Sequence, residues 1–132
     1  MRLVALGIGV AASLLALATA QADCLKANTP DQTAEGRLTS VVITIEDYKR
    51  KEQAYILRLA TDACLDGADD FDKVERTNRI HVYSLDNALR RKLRSAAGKM
   101  VRVSGNAYGE ENLHHHAPIV MNVTRVEVIP RK

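Results

Sequence analysis

The 132-residue chain has no tryptophan, one phenylalanine and four tyrosines. That scarcity of flat side chains speaks against a single-stranded nucleic-acid binder, because such surfaces stack bases on aromatic rings. Nucleic acid is therefore not an expected partner. Only two cysteines are present, Cys24 and Cys64. Once joined in a disulfide they leave no thiol as a nucleophile or a metal ligand. There is no G-x-S-x-G elbow, no phosphate-binding glycine loop, no dinucleotide fingerprint and no H-E-x-x-H. The expectation is a non-catalytic protein, and any enzyme built on this chain would have to be metal-assisted through its histidines. Internal repeats, low-complexity tracts and interdomain linkers are missing too, which leaves room for one domain. The formal net charge is +3. That is weakly basic and does not by itself demand a polyanionic partner.

One long apolar run exists, Leu3 to Leu17, directly after Arg2. Two small-residue cleavage patterns follow it, Ala18-Thr19-Ala20 and Ala20-Gln21-Ala22. Residues 1–22 read as a secretory signal peptide. The run is short and its flanks are wrong for a transmembrane helix, so no stable membrane insertion is expected after cleavage. Asp23 precedes Cys24, which argues against lipidation of that cysteine. Export points to a periplasmic or secreted location, and an oxidising compartment favours a Cys24–Cys64 disulfide. Closing a loop of about 40 residues stabilises a fold by roughly 4 kcal/mol in the chain-entropy picture, as an upper figure.

Hydrophobic periodicity supplies the elements. Residues 23–35 are polar, carry Pro30, and read as a loosely ordered lead-in to a domain spanning 36–130. In "GRLTSVVITIED" the apolar parity shifts between Leu38 and Val41, which predicts a β-bulge near Ser40. "QAYILRLAT" and "RIHVYSL" alternate as strands, the second with Ile80 and Val82 opposite His81 and Tyr83. The acidic stretch from Asp66 to Glu75 reads as a solvated loop. It fails as a calcium loop, because Lys73 falls where a bidentate glutamate is needed. "DNALRRKLRSAAG" then switches to helical spacing, with Asp86 as N-cap, Leu89 and Leu93 on one face, and Gly98 at the end. Its cations Arg90, Arg91, Lys92 and Arg94 read as a solvated face. "KMVRVSGNAY" and "PIVMNVTRVEVI" return to period two, with a second irregularity between Val123 and Val126. Three strands, one helix and two strands make an all-β chain with one helix. The arrangement β-β-β-α-β-β is that of a small five-stranded OB-like barrel.

The chemistry concentrates in "GEENLHHHAPIVMNV". In an extended backbone His114 and His116 project together and His115 opposite. With Glu110 or Glu111 across a turn, and His81 from the third strand, they could supply an N/O ligand set for zinc or copper. The metal candidates are thus His81, His114, His116 and Glu111. The alternative is structural, with the imidazoles hydrogen-bonding the loop backbone before Pro118. A third reading is a ligand or partner surface formed by Tyr108, His115 and Tyr83. No cofactor is expected outside the zinc or copper reading.

The stretches "YILRLATDACLDG", "RIHVYSL" and "KMVRVSGNAYGEENLHHHAPIVMNV" resemble an exported bacterial family catalogued only as a domain of unknown function. The resemblance rests on Val101, Val103 and Gly105, then His114, His115, His116 and Pro118, and covers residues 36–128. It implies an exported location and a similar fold, and brings no activity. The functional expectation is a binding or inhibitor module acting on an envelope protein or ligand, with the zinc- or copper-binding protein as the rival.

Overall fold

Burial alternates residue by residue along 32–45 and 100–109. The structure is a computed structural model that describes residues 23–131 together with Gly7 and Gly9; the signal-peptide reading of 1–22 lies outside the described residues. Six strands form one sheet: β1 (Leu25–Lys26), β2 (Gln32–Ile45), β3 (Arg50–Asp66), β4 (Val74–Tyr83), β5 (Met100–Gly109) and β6 (Ile119–Val128). Among the described residues there is one α-helix, α1 (Asn87–Ala96), which joins β4 to β5. The expected sequence of three strands, a helix and two strands is therefore present in β2 to β6. The segment 23–35, read as a lead-in, instead contributes β1 and the first residues of β2.

The pairings close a ring of five strands. β2 is antiparallel to both β3 and β5. β5 is antiparallel to β6, β6 is parallel to β4, and β4 returns antiparallel to β3. β1 adds in parallel to the end of β3.

Inside the ring sit Leu38, Leu57, Ile80, Val82, Val101, Val103, Met121 and Val126, all fully buried. Each such side chain contributes about 1.5–3 kcal/mol when withdrawn from water. In α1 the Asp86 carboxylate accepts the Leu89 N–H at 2.9 Å, as an N-cap should. Leu93 and Ala96 are buried on its inner face, and Gly98 ends the turn at φ +85°, where a side chain would be strained.

The bulge expected near Ser40 is not there. β2 and β3 stay in register without a break from Gly36 opposite Leu59 to Ile45 opposite Arg50. The parity change has another cause. β5 pairs with β2 only up to Arg37. Residues Leu38 to Ser40 lie opposite the part of β3 that still pairs with β4, and from Val41 onward the β2–β3 hairpin continues as a two-stranded ribbon. Val41, Ile43 and Ile45 are half-buried, while Ser40, Val42 and Thr44 are exposed. The bend falls in β3 instead, where register shifts lie between Arg58 and Ala63 and between Ala63 and Leu65. The irregularity expected in the last strand is present: Ser104 pairs with Arg125 and Gly105 with Val123, leaving Thr124 as the extra residue.

The acidic loop is also different from its sequence reading. Asp72 is buried, accepting the Gly109 N–H at 2.9 Å and an Asn28 amide N–H at 3.0 Å. It ties the loop to the end of β5 and to the N-terminal segment, because a buried carboxylate must find donors. The disulfide forms between Cys24 and Cys64, as expected, and anchors β1 beside β3.

Two outcomes follow from this packing. Replacing both Cys24 and Cys64 by Ser lowers the unfolding free energy by about 2–4 kcal/mol in denaturant titrations; an unchanged midpoint would show that the tether contributes nothing. A Cβ at Gly105 would overlap the Asn122 carbonyl oxygen across β6. Gly105→Ala therefore costs about 1–3 kcal/mol by the same measurement, whereas Gly98→Ala meets no neighbour and is affected only through its backbone conformation.

Candidate functional site

Strand register builds the site. His81 on β4 pairs with Ile56 on β3 and Val120 on β6, and Val120 pairs in turn with Tyr108 on β5. Residues in register share a face, so these four form one row on the outside of the ring. The loop 110–118 folds over that row. His115 packs edge-on to Tyr108 with ring centroids 5.5 Å apart, and His116 lies 5.4 Å from His81. The Tyr83 and Tyr108 hydroxyls are hydrogen-bonded to each other. The three proposed surface residues Tyr83, Tyr108 and His115 are therefore brought together, along with His81.

The loop is a turn, not the extended strand assumed from sequence. Asn112 organises it by accepting the His115 N–H at its carbonyl and the His114 N–H at its side chain. His114 and His116 nonetheless point to the same target. His114 Nδ1 lies 2.9 Å from one carboxylate oxygen of Glu52 and His116 Nε2 lies 3.0 Å from the other. Glu52 belongs to β3 in the projecting hairpin, and the sequence reading missed it by starting that strand at Gln53. One more residue of alternation would have put Glu52 on the face of Ala54 and Ile56.

The remaining imidazoles brace backbone. His81 Nδ1 accepts the His116 N–H at 3.2 Å, and His115 Nδ1 accepts the Glu111 N–H at 3.0 Å. Glu111 thus enters the network through its backbone. Among the described residues no group of three or more His, Cys, Asp or Glu side chains is arranged to hold a metal ion. The proposed set of His81, His114, His116 and Glu111 does not converge on a common point.

Burial tunes the site. His81 is 8% exposed. Burial, and then the neighbouring His116 and His115, push its pKa down to about 4, against a weaker pull from Glu52. Burial opposes ionisation of Glu52, but the bonds and charges of His116 and His114 outweigh it and hold its carboxyl below the ordinary range. Burial and the Tyr83 contact raise the Tyr108 phenol well above its usual value, so it stays a neutral hydroxyl.

Beside this network a cleft of about 490 Å³ opens between the hairpin, β4 and α1. Its floor and walls include Glu52, Tyr55, His81 and Tyr83, and Arg50, Lys51, Arg90 and Arg94 border it. Volumes of this size are typical of small-ligand sites.

The fold and site define a class: a small, disulfide-tied, mostly β domain with a cation-bordered cleft beside a histidine-bearing loop. Residues 79–127 match the family described as Domain of unknown function (DUF4431). The matched segment holds His81, Tyr83, Tyr108 and the three consecutive histidines, and begins after the hairpin that supplies Glu52. No curated protein matches the chain.

His81 gives the site a pH signature. Its folded pKa lies below the value of about 6.5 in the unfolded chain, so the unfolded state takes up the proton first. The stability from neutral His81 is complete above pH 6.5 and is lost as pH falls toward 4. From pH 7 to pH 5 the unfolding free energy should drop by about 2 kcal/mol on this account. His81→Gln, which keeps an acceptor for the His116 N–H, should remove most of that drop in denaturant titrations at the two pH values. An identical drop in the variant would show that His81 is not its source.

Proposed function

We propose that this protein is an exported, periplasmic or secreted, non-catalytic binding module of OB-like architecture, acting on an envelope ligand or an envelope protein. The cleft carries the proposal. It is concave, partly aromatic and polar, and sits beside a loop whose histidines are all engaged in hydrogen bonds or ring contacts. Fold-level analogy supports the same reading. In OB-folds the second and third strands and the loops after the first and fourth strands bear the ligand face. Counted from β2, those strands are β3 and β4 and the second of those loops is 110–118, all of which border the cleft or the network beside it. The order of the ring, with β6 between β4 and β5, supports an OB-like barrel. The Cys24–Cys64 bond is consistent with an oxidising compartment. A zinc or copper role has no comparable support, because the imidazoles are spent on Glu52 and on loop backbone.

Photocrosslinking tests the reading. Leu85 lines the cleft and is 83% exposed; Phe71 is 76% exposed and does not line it. A benzophenone amino acid at position 85 in the full exported chain should yield a discrete adduct in cells, resolved by mass, while one at position 71 should not. Equal labelling from both positions, or none from position 85, would overturn the binding-module reading.

A further inference from the structure

The cleft has a charge asymmetry that narrows its ligand. Four cations border it, Arg50 and Lys51 from the start of β3 and Arg90 and Arg94 from α1. None of the four has a carboxylate within salt-bridge distance or a side-chain hydrogen bond among the described residues. Arg102, Arg76 and Arg125 are paired with Glu35, Asp62 and Glu127; Arg58, Arg79, Arg91 and Lys92 have no such partner among the described residues, and what sets the four apart is that they border one cleft. The one carboxylate lining the cleft is Glu52, and both of its oxygens are taken by His114 and His116.

Arg90 and Arg94 stand one helical turn apart. Like charges at that spacing destabilise a helix by a few tenths of a kcal/mol, and Arg50 and Lys51 add to the repulsion from across the cleft. An anion placed between the two pairs relieves it. Guanidinium groups match phosphate geometry with paired N–H donors. The tyrosine and histidine rings along the wall add flat, partly apolar surface with hydrogen-bonding tips.

We infer that this cleft binds a phosphorylated ligand, with Arg90 and Arg94 gripping it from the helix and Arg50 and Lys51 from the hairpin. The inference rests on the binding-module reading and gives its ligand class. The phosphate could be carried by a soluble molecule or by a lipid headgroup, since the recognition chemistry is shared.

Calorimetric titration of the full mature chain with inorganic tripolyphosphate tests the inference. Arg90→Gln with Arg94→Gln should weaken binding at least tenfold. Arg91→Gln with Lys92→Gln removes the same charge from the same helix outside the cleft, and should change it by less than threefold. Absence of tripolyphosphate binding, or equal weakening in both pairs, overturns the inference. Circular dichroism of both variants should show an unchanged fold, as expected for exposed helix positions. Flotation with phosphatidylglycerol vesicles separates the sources. Co-flotation that tripolyphosphate competes away identifies a headgroup, and tripolyphosphate binding without flotation identifies a soluble ligand. If tripolyphosphate does not bind while the crosslink from position 85 persists, the anion assignment falls and the binding module stands.

Discussion

β4 carries hydrogen bonds on both of its edges, antiparallel to β3 and parallel to β6. That double pairing closes the ring, and it fixes core and site in one step. Ile80 and Val82 fill the interior because His81 and Tyr83 face out. A slip of one residue in either pairing would exchange the two sets, putting an imidazole and a phenol into the apolar core. The register is therefore held by the core's demand for Ile80 and Val82, and the site inherits its geometry from that demand. The bend in β3 between Arg58 and Leu65 serves the same closure, because a strand paired with β2 on one side and β4 on the other must curl strongly.

How much of this was legible in the sequence depends on the range of the interaction involved. Alternation along β4 and β5, the helical spacing of Leu89 and Leu93, and the Asp86 cap are local, and they appear in the structure as expected. So does the extra residue in β6, because its parity change leaves a direct trace in the sequence. The parity change at Ser40 left the same trace for a different reason, the loss of β5 as a neighbour. Period alone does not distinguish a bulge from a strand that outruns its sheet. Asp72 was unreadable because its burial is set by Asn28 and Gly109, both distant in sequence. Glu52 was missed for a similar reason: it is one carboxylate among many until the hairpin brings it under the histidine loop.

The histidine loop and the projecting hairpin both extend beyond the paired strands of the ring. Neither lies over the main core. Glu52 joins them, through His114 and His116, across more than sixty residues of sequence. His116 is the more sheltered partner, at 12% side-chain exposure against 63% for His114. Solvent screens the exposed pair and leaves the sheltered one as the stronger coupling. The free ends of the site are thus held by a charge-assisted contact whose strength lies mostly in one imidazole.

This contact also has a consequence for charge. Three consecutive histidines beside glutamates suggest a metal centre when read along the sequence, because an imidazole considered alone has a nitrogen to offer. In the fold His81 and His115 accept backbone N–H groups, and His114 and His116 face one carboxylate. A cation taking their place would have to break the bonds that shape the loop and then compete with Arg50, Lys51, Arg90 and Arg94 for the same region. The same bonds draw the charge of Glu52 away from those four residues. The loop thereby acts as a clamp that also bears on the charge of the cleft next to it, which His81 and His114 themselves line.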